Sequence, residues 1–347
     1  MEHGRVAAAA AAAGKKPKVV FVLGATATGK SKLAIAIAAR FDGEVINADK
    51  IQVHDGVPII TNKVTSEEAA GVPHHLLGVL PADADFTAGD FRREASAAVA
   101  RVLSSGRLPV VAGGSNTYIE ALVDGGAAAF RHAHDLLFLW VDVSGDHHEL
   151  LEWYASARVD DMVARGLIDE ARAAFVVSGD GAGDYTRGVR RAIGLPEMHE
   201  YLAAEEGKFA GEAELAAMLE RAVGEIKRNT FRLARRQAEK IGRLSTLEGW
   251  DVRRIDVSPV LAARKGEGVE CSEEMWKKVV WEPSEEMVRA FLEDDEEEEK
   301  TTTTKKKTAA ADVVVDVVPK TVVAGGGGGD AAGVVATVAT AAADVAI

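Results

Sequence analysis

The residues best suited to chemistry lie in "LGATATGKSK", residues 23 to 32. Gly24 through Gly29, Lys30 and Ser31 fit the pattern G-x-x-x-x-G-K-[ST]. In such a loop the backbone of Gly24, Ala25, Thr26, Ala27, Thr28 and Gly29 cradles phosphate oxygens, Lys30 bridges them, and Ser31 holds Mg²⁺. A carboxylate, Asp49, stands in "NADKIQ" (47–52). Beside a phosphate loop it is placed to act as general base on an acceptor. Taken alone, Asp followed by "KIQV" suits a helix N-cap. "GGSNTY" (113–118) offers Ser115 and Asn116 after two glycines. Either the backbone there approaches a ligand to which both side chains donate, or the stretch is a tight turn with Ser115 as N-cap.

Other polar clusters carry weaker signals. His74 and His75 in "GVPHHLLG" are adjacent and share no helix face, so joint metal ligation is disfavoured and hydrogen-bonded loop histidines are expected. In "DFTAGDFR", Thr87 caps a helix, and Asp90 and Arg92 serve either structure or closure of the site. Lys227, Arg228, Arg232, Arg235, Arg236, Lys240 and Arg243 recur at helical spacing with few acids between them. That stripe is either a solvated face or an anion-facing surface. Trp140 and Trp153 read as core.

The elements that must position these groups follow from periodicity. Val19 to Leu23 is a continuous β-branched run, as for a strand buried on both faces, and a helical stretch follows the loop. Further strands are expected at 43–49, 108–112, 136–144 and 251–257. Strands alternating with helices predict an α/β fold: a P-loop NTPase-like parallel sheet with helices on both faces. Gly24, Asp49 and Gly113 then fall just past strand ends, where such sheets bind ligands. From about 147 to 225 the pattern is helical, with a break at Gly166, and predicts a smaller helical insertion. A long amphipathic helix runs on to about 244. Residues 18–292 form the expected catalytic domain.

Composition bounds the partners. The chain has 347 residues and a formal net charge of −13, which disfavours non-specific nucleic-acid binding. Its lone cysteine, Cys271, excludes an intrachain disulfide and a cysteine zinc site. No apolar run approaches membrane-spanning length, so no membrane partner is expected. Residues 1–17 are Ala-rich with few acids and read as a disordered leader or a weak transit peptide. Residues 293–347 open on the acidic run Glu293–Glu299 and continue through Lys, Thr, Val and Gly repeats; a disordered low-complexity tail is expected.

Eight stretches in order, "GATATGKSKLA", "NADKIQ", "GVPHHLLG", "DFTAGDFR", "AGGSNTYIEAL", "RVDDMVARGLIDE", "TRGVRRAIGLPE" and "IKRNTFRLARRQAEKI", together resemble the plant adenylate isopentenyltransferases of cytokinin synthesis. The resemblance covers about residues 18 to 290. It implies transfer of a dimethylallyl group from dimethylallyl diphosphate to N6 of adenine in ATP or ADP, with AMP a further candidate acceptor, releasing diphosphate. It also implies that the phosphate loop holds the prenyl diphosphate, with Mg²⁺ on Ser31. Asp49 matches the base, Ser115 a hydroxyl near the reacting centre, and Arg190 and Arg236 are the expected phosphate-neutralising arginines. A monomer is expected, in plastid or cytoplasm.

The tRNA-modifying branch of the same family typically reads "DSMQ" where this chain has "DKIQ", and its eukaryotic members carry a Cys/His zinc motif absent here. A free nucleotide is therefore expected and tRNA disfavoured. A tRNA dimethylallyltransferase and a P-loop small-molecule kinase stay open as alternatives. After the aspartate the chain departs from the family text: His54 stands in place of a tyrosine and Asp55 in place of a lysine.

Overall fold

The computed structural model describes residues 15–175 and 183–293; the leader before residue 15 and the tail after 293 lie outside the described residues. Six strands form one parallel sheet: β1 (Lys18–Gly24), β2 (Gly43–Asn47), β3 (His74–His75), β4 (Leu108–Gly113), β5 (Asp135–Asp142) and β6 (Val252–Asp256). Their order is β3-β2-β4-β1-β5-β6. β1 is therefore central, in register with β4 through Leu23↔Gly113 and with β5 through Gly24↔Val141. After β4 the chain crosses β1 to lay down β5, which makes the carboxyl ends of β4, β1 and β5 the switch-point crevice of a parallel sheet.

Side chains alternate across this sheet. Val20 and Val22 enter a core on one face, with Leu33, Ala34 and Ile37. Val19, Phe21 and Leu23 enter a second core on the other, with Phe91, Ile119 and Phe138. All five β1 residues are fully buried, which is why the run has no polar alternation. α1 (Lys30–Arg40) covers the first face and starts directly after Gly29, whose φ of 86° is left-handed. α2 (Ala88–Ser104) and α3 (Asn116–Val123) cover the second. α2 opens on a Thr87/Asp90 capping box, so Asp90 is structural. α4 (Gly125–Ala133) begins with a left-handed turn at Gly126, against which Arg92 packs.

The helical region consists of α5 (His148–Ala164), α6 (Leu167–Ala174), α7 (Leu195–Gly207) and α8 (Glu212–Leu244). α5 and α6 are separated at Gly166, φ 106°. Val159, Met162, Leu167, Met198 and Ile226 close a third core there, together with Val57 and Ile60. α5 joins two cores, since its Leu150 and Leu151 belong to the first. α9 (Ser258–Gly266), α10 (Val269–Trp276) and a helical stretch to residue 293 pack back on the first core through Val280 and Val288.

Two expectations are corrected. Trp140 is half-buried and packs against the edge of the second core, and Trp153 is half-buried outside the cores; Arg254 lies over the Trp140 ring at 5.6 Å and Lys265 over Trp153 at 5.8 Å. The tryptophan in the core is Trp250. His74 and His75 are not loop residues. They form the edge strand β3, where His75 Nε2 meets Glu44 Oε2 at 2.5 Å and His74 Nδ1 meets the Val72 carbonyl at 2.8 Å. Among the described residues no cluster of acids, histidines and cysteines could hold a metal ion by itself, and no helix is long and apolar enough to cross a membrane.

Candidate active site

The phosphate loop leaves β1 at Gly24, where a Cβ would come within 2.7 Å of Thr28 Oγ1 and 2.9 Å of the Val141 carbonyl. Only glycine fits that turn. Thr28 is buried and its hydroxyl donates to the Ala25 carbonyl at 2.9 Å, closing the arch from inside. Gly29 has nothing within 4 Å of where a Cβ would stand, so the outer side of the arch is open. Lys30 reaches back to the Ala25 carbonyl at 3.4 Å.

Asp49 lies two residues beyond β2. Its Oδ1 accepts from the N–H groups of Ile51 (2.8 Å) and Gln52 (3.2 Å). It thus caps a turn instead of a helix, and its second oxygen accepts no hydrogen bond among the described residues. Lys30, Asp49 and Arg158 of α5 stand close enough for their charges to act on one another. Burial, reinforced by Arg158, lowers the Lys30 ammonium to about 8 against the partial restoring effect of Asp49. Burial likewise pushes the Arg158 guanidinium down, while Tyr154 and Asp49 counteract it. The cations outweigh the carboxylate, so the crevice favours an anion. Beside Ser31 opens a cavity of about 340 Å³, with apolar walls from Ile35, Val45 and Leu77 and polar edges from Asn47 and Gln52.

The remaining expected residues divide. Ser115 stands at the N-cap of α3 without capping it; its Oγ accepts from the Lys50 N–H at 2.9 Å, next to Asp49. The two glycines before it make room for protein rather than for a ligand. A Cβ on Gly113 would lie 2.3 Å from the Ala48 carbonyl, and one on Gly114 2.2 Å from Gln237 Nε2. Asn116, expected to donate to a ligand, is buried and donates instead to the Gln237 carbonyl at 2.9 Å. The charge of Arg190 acts on Asp184 and Tyr185. Its neighbour Arg191 acts on Tyr118, which also feels Asp49.

In the basic stripe Lys227 pairs with Asp160, Arg228 and Arg232 with Glu225, Arg235 with Glu239, and Arg243 with Glu120. Among the described residues Arg236 and Lys240, one turn apart on α8, have no acid partner within the stripe. His54 is fully buried with Nδ1 on the Pro81 carbonyl (3.1 Å), and Asp55 accepts from the Gly56 N–H (2.7 Å). Arg158 is the residue that sequence reasoning missed. Its signal was available: with Leu151, Ala155 and Met162 it falls on one apolar stripe of α5, an unusual place for an arginine.

A sequence model of the IPP transferase family matches residues 52–137 and 127–241. Over 281 residues the chain is 46% identical to adenylate isopentenyltransferase 3, chloroplastic, of Arabidopsis thaliana, covering 81% of both chains. The chain belongs to the IPP transferase family. Adenylate isopentenyltransferase 5, chloroplastic, of the same plant is 48% identical over 279 residues, with 80% of this chain and 81% of the relative covered. Its tRNA dimethylallyltransferase 2 is 29% identical, over 80% of this chain and 81% of that one. The solved structure of a eukaryotic dimethylallyltransferase acting on tRNA shares the fold, with a TM-score of 0.64 at 21% identity over 80% of each chain. The IPP transferase match begins at Gln52, after the phosphate loop and Asp49, and runs to residue 241 within α8, while the alignments to the adenylate enzymes cover most of the chain.

Proposed function

We propose that this chain transfers the dimethylallyl group of dimethylallyl diphosphate to N6 of adenine in ADP or ATP, releasing diphosphate. The observation that carries the reading is one crevice holding a phosphate loop, two charge-strained cations and a half-free carboxylate, in a chain nearly half identical to adenylate isopentenyltransferases.

The geometry suits the reaction. As the allylic C–O bond breaks, negative charge grows on the departing diphosphate. Lys30, Arg158 and the loop N–H groups are placed to meet that charge. Diphosphate binding also relieves the repulsion between the two cations. The Ser31 hydroxyl and the diphosphate oxygens fit Mg²⁺, which takes few protein ligands and keeps phosphate and water as the rest. Mg²⁺ bound there supplies further charge neutralisation of the leaving group. The adenine amine is a weak nucleophile because its lone pair is delocalised into the ring. Asp49 takes the N6 proton during attack, its direction fixed by the amides of Ile51 and Gln52. Arg236 and Lys240, free of acid partners, take the phosphates of the acceptor nucleotide. The neutralised remainder of the stripe favours a nucleotide over the long phosphate backbone of tRNA. A plastid compartment fits the chloroplastic relatives better than the cytoplasm, and an import assay on the full chain decides between them.

The test is incubation with dimethylallyl diphosphate and Mg²⁺ plus AMP, ADP, ATP or tRNA, with products weighed by mass spectrometry. ADP and ATP should each gain one five-carbon unit. Prenylation of tRNA alone, or conversion of ATP to ADP without the prenyl donor, would overturn the reading.

A further inference from the structure

We propose that Gln237 is a positioning residue that sets the phosphate loop at its working distance from the Asp49 turn. Gln237 is 8% exposed, on the face of α8 turned toward the sheet. Its Oε1 accepts from the Thr26 N–H at 2.7 Å, and its Nε2 donates to the Gly114 carbonyl at 3.0 Å. One carboxamide thus bridges the loop after β1 and the turn after β4. Its own backbone carbonyl accepts from Asn116 Nδ2 at 2.9 Å, locking the same turn a second time.

From that turn the chain of contacts runs on to the base. The Ser115 N–H donates to the Ala48 carbonyl at 3.2 Å, and Ser115 Oγ accepts from the Lys50 N–H at 2.9 Å. Ala48 and Lys50 flank Asp49. The phosphate loop and the Asp49 turn are therefore joined through Gln237 and the Gly114–Ser115 turn by a short series of hydrogen bonds. Gly114 lets the carboxamide approach this closely, since a Cβ there would stand 2.2 Å from Gln237 Nε2. The Thr26 N–H is consumed by this bridge, so the phosphates must be met by the amides that follow it in the loop.

The residue type is dictated by the task. At this length and at neutral pH an amide offers an acceptor and a donor together, which a carboxylate does not. A carboxylate could accept from Thr26 but would set an oxygen against the Gly114 carbonyl. A protonated carboxyl would restore both bonds. Hence Gln237→Glu should be impaired at neutral pH and recover as pH falls far enough to protonate the new carboxyl. Gln237→Met, which fills the space without either bond, should be impaired at every pH. Displacement of a reacting group by an ångström costs up to about 10²-fold, so kcat should fall by roughly 10- to 100-fold. KM for the nucleotide should move far less, because both ends of the Gln237 carboxamide are taken by protein backbone.

This inference rests on the proposed prenyl transfer, and the two fail differently: no product from the native chain removes the reaction, whereas native kcat in both variants removes the role of Gln237. Recovery of Gln237→Glu at low pH without recovery of Gln237→Met supports it. Amide hydrogen exchange on the native chain tests it independently of how the variants fold. The Thr26 amide should be protected in the free protein and unchanged on adding inorganic diphosphate, while amides from Ala27 to Ser31 gain protection. A Thr26 amide that exchanges freely without diphosphate would overturn the bridge.

Discussion

In the proposed reaction Asp49 and Lys30 serve opposite halves and should respond differently to substitution. Asp49→Asn keeps the turn-capping acceptor that Ile51 and Gln52 use but cannot take the N6 proton. Its single-turnover rate should fall by about 10²–10⁴-fold with little change in melting temperature; a stable variant at the native rate would return Asp49 to a purely capping role. Lys30 carries a pH signature. It is held at about 8 in the free protein and sits near 10.5 in an unfolded chain. Between those values the unfolded chain binds more protons, so this group makes folding stability rise with pH there. Bound diphosphate restores the proton, so above about pH 8 its binding must take one up and weakens as pH rises. Titration of inorganic diphosphate from pH 7 to 10 should show that loss in the native chain and a flatter profile in Lys30→Met.

At the scale of elements the Gly-Gly turn after β4 holds the site together. Gly114→Ala would drive a methyl to 2.2 Å from Gln237 Nε2. Overpacking of this kind costs about 1–3 kcal/mol, which a denaturant midpoint will read, and turnover should fall with it. This turn also shows where sequence legibility ended. Local signals were sufficient for β1, β4 and β5, whose apolar runs declare burial on both faces, for the phosphate loop, and for the length of α8. They were blind to β3, a two-residue strand created only by pairing with Val45 and Ile46. They left the glycines at 113 and 114 open between a ligand approach and a tight turn, because Ala48 and Gln237, the groups that need the space, are distant in sequence. Arg158 escaped for a related reason: its charge reaches Lys30 and Asp49 through the packing of the helical region.

Across the whole molecule an acidic chain, −13 in net charge, encloses a crevice that favours anions. The three cores that build it draw their buried residues from Val19 to Val288. Truncation after residue 293 should therefore leave the melting temperature and turnover near native values; loss of soluble enzyme would show that the tail supports the fold. The central claim is that the phosphate loop receives the prenyl donor and not the nucleotide. Calorimetric titration of Lys30→Met with an unreactive thiolodiphosphate analogue of the donor, and separately with ADP, tests it most directly. Losing a charged hydrogen-bond partner is worth about 1.5–3 kcal/mol, so analogue affinity should drop by roughly 10- to 100-fold while ADP affinity stays within about twofold. Loss of ADP binding with analogue binding intact would contradict the account and put the nucleotide in the loop.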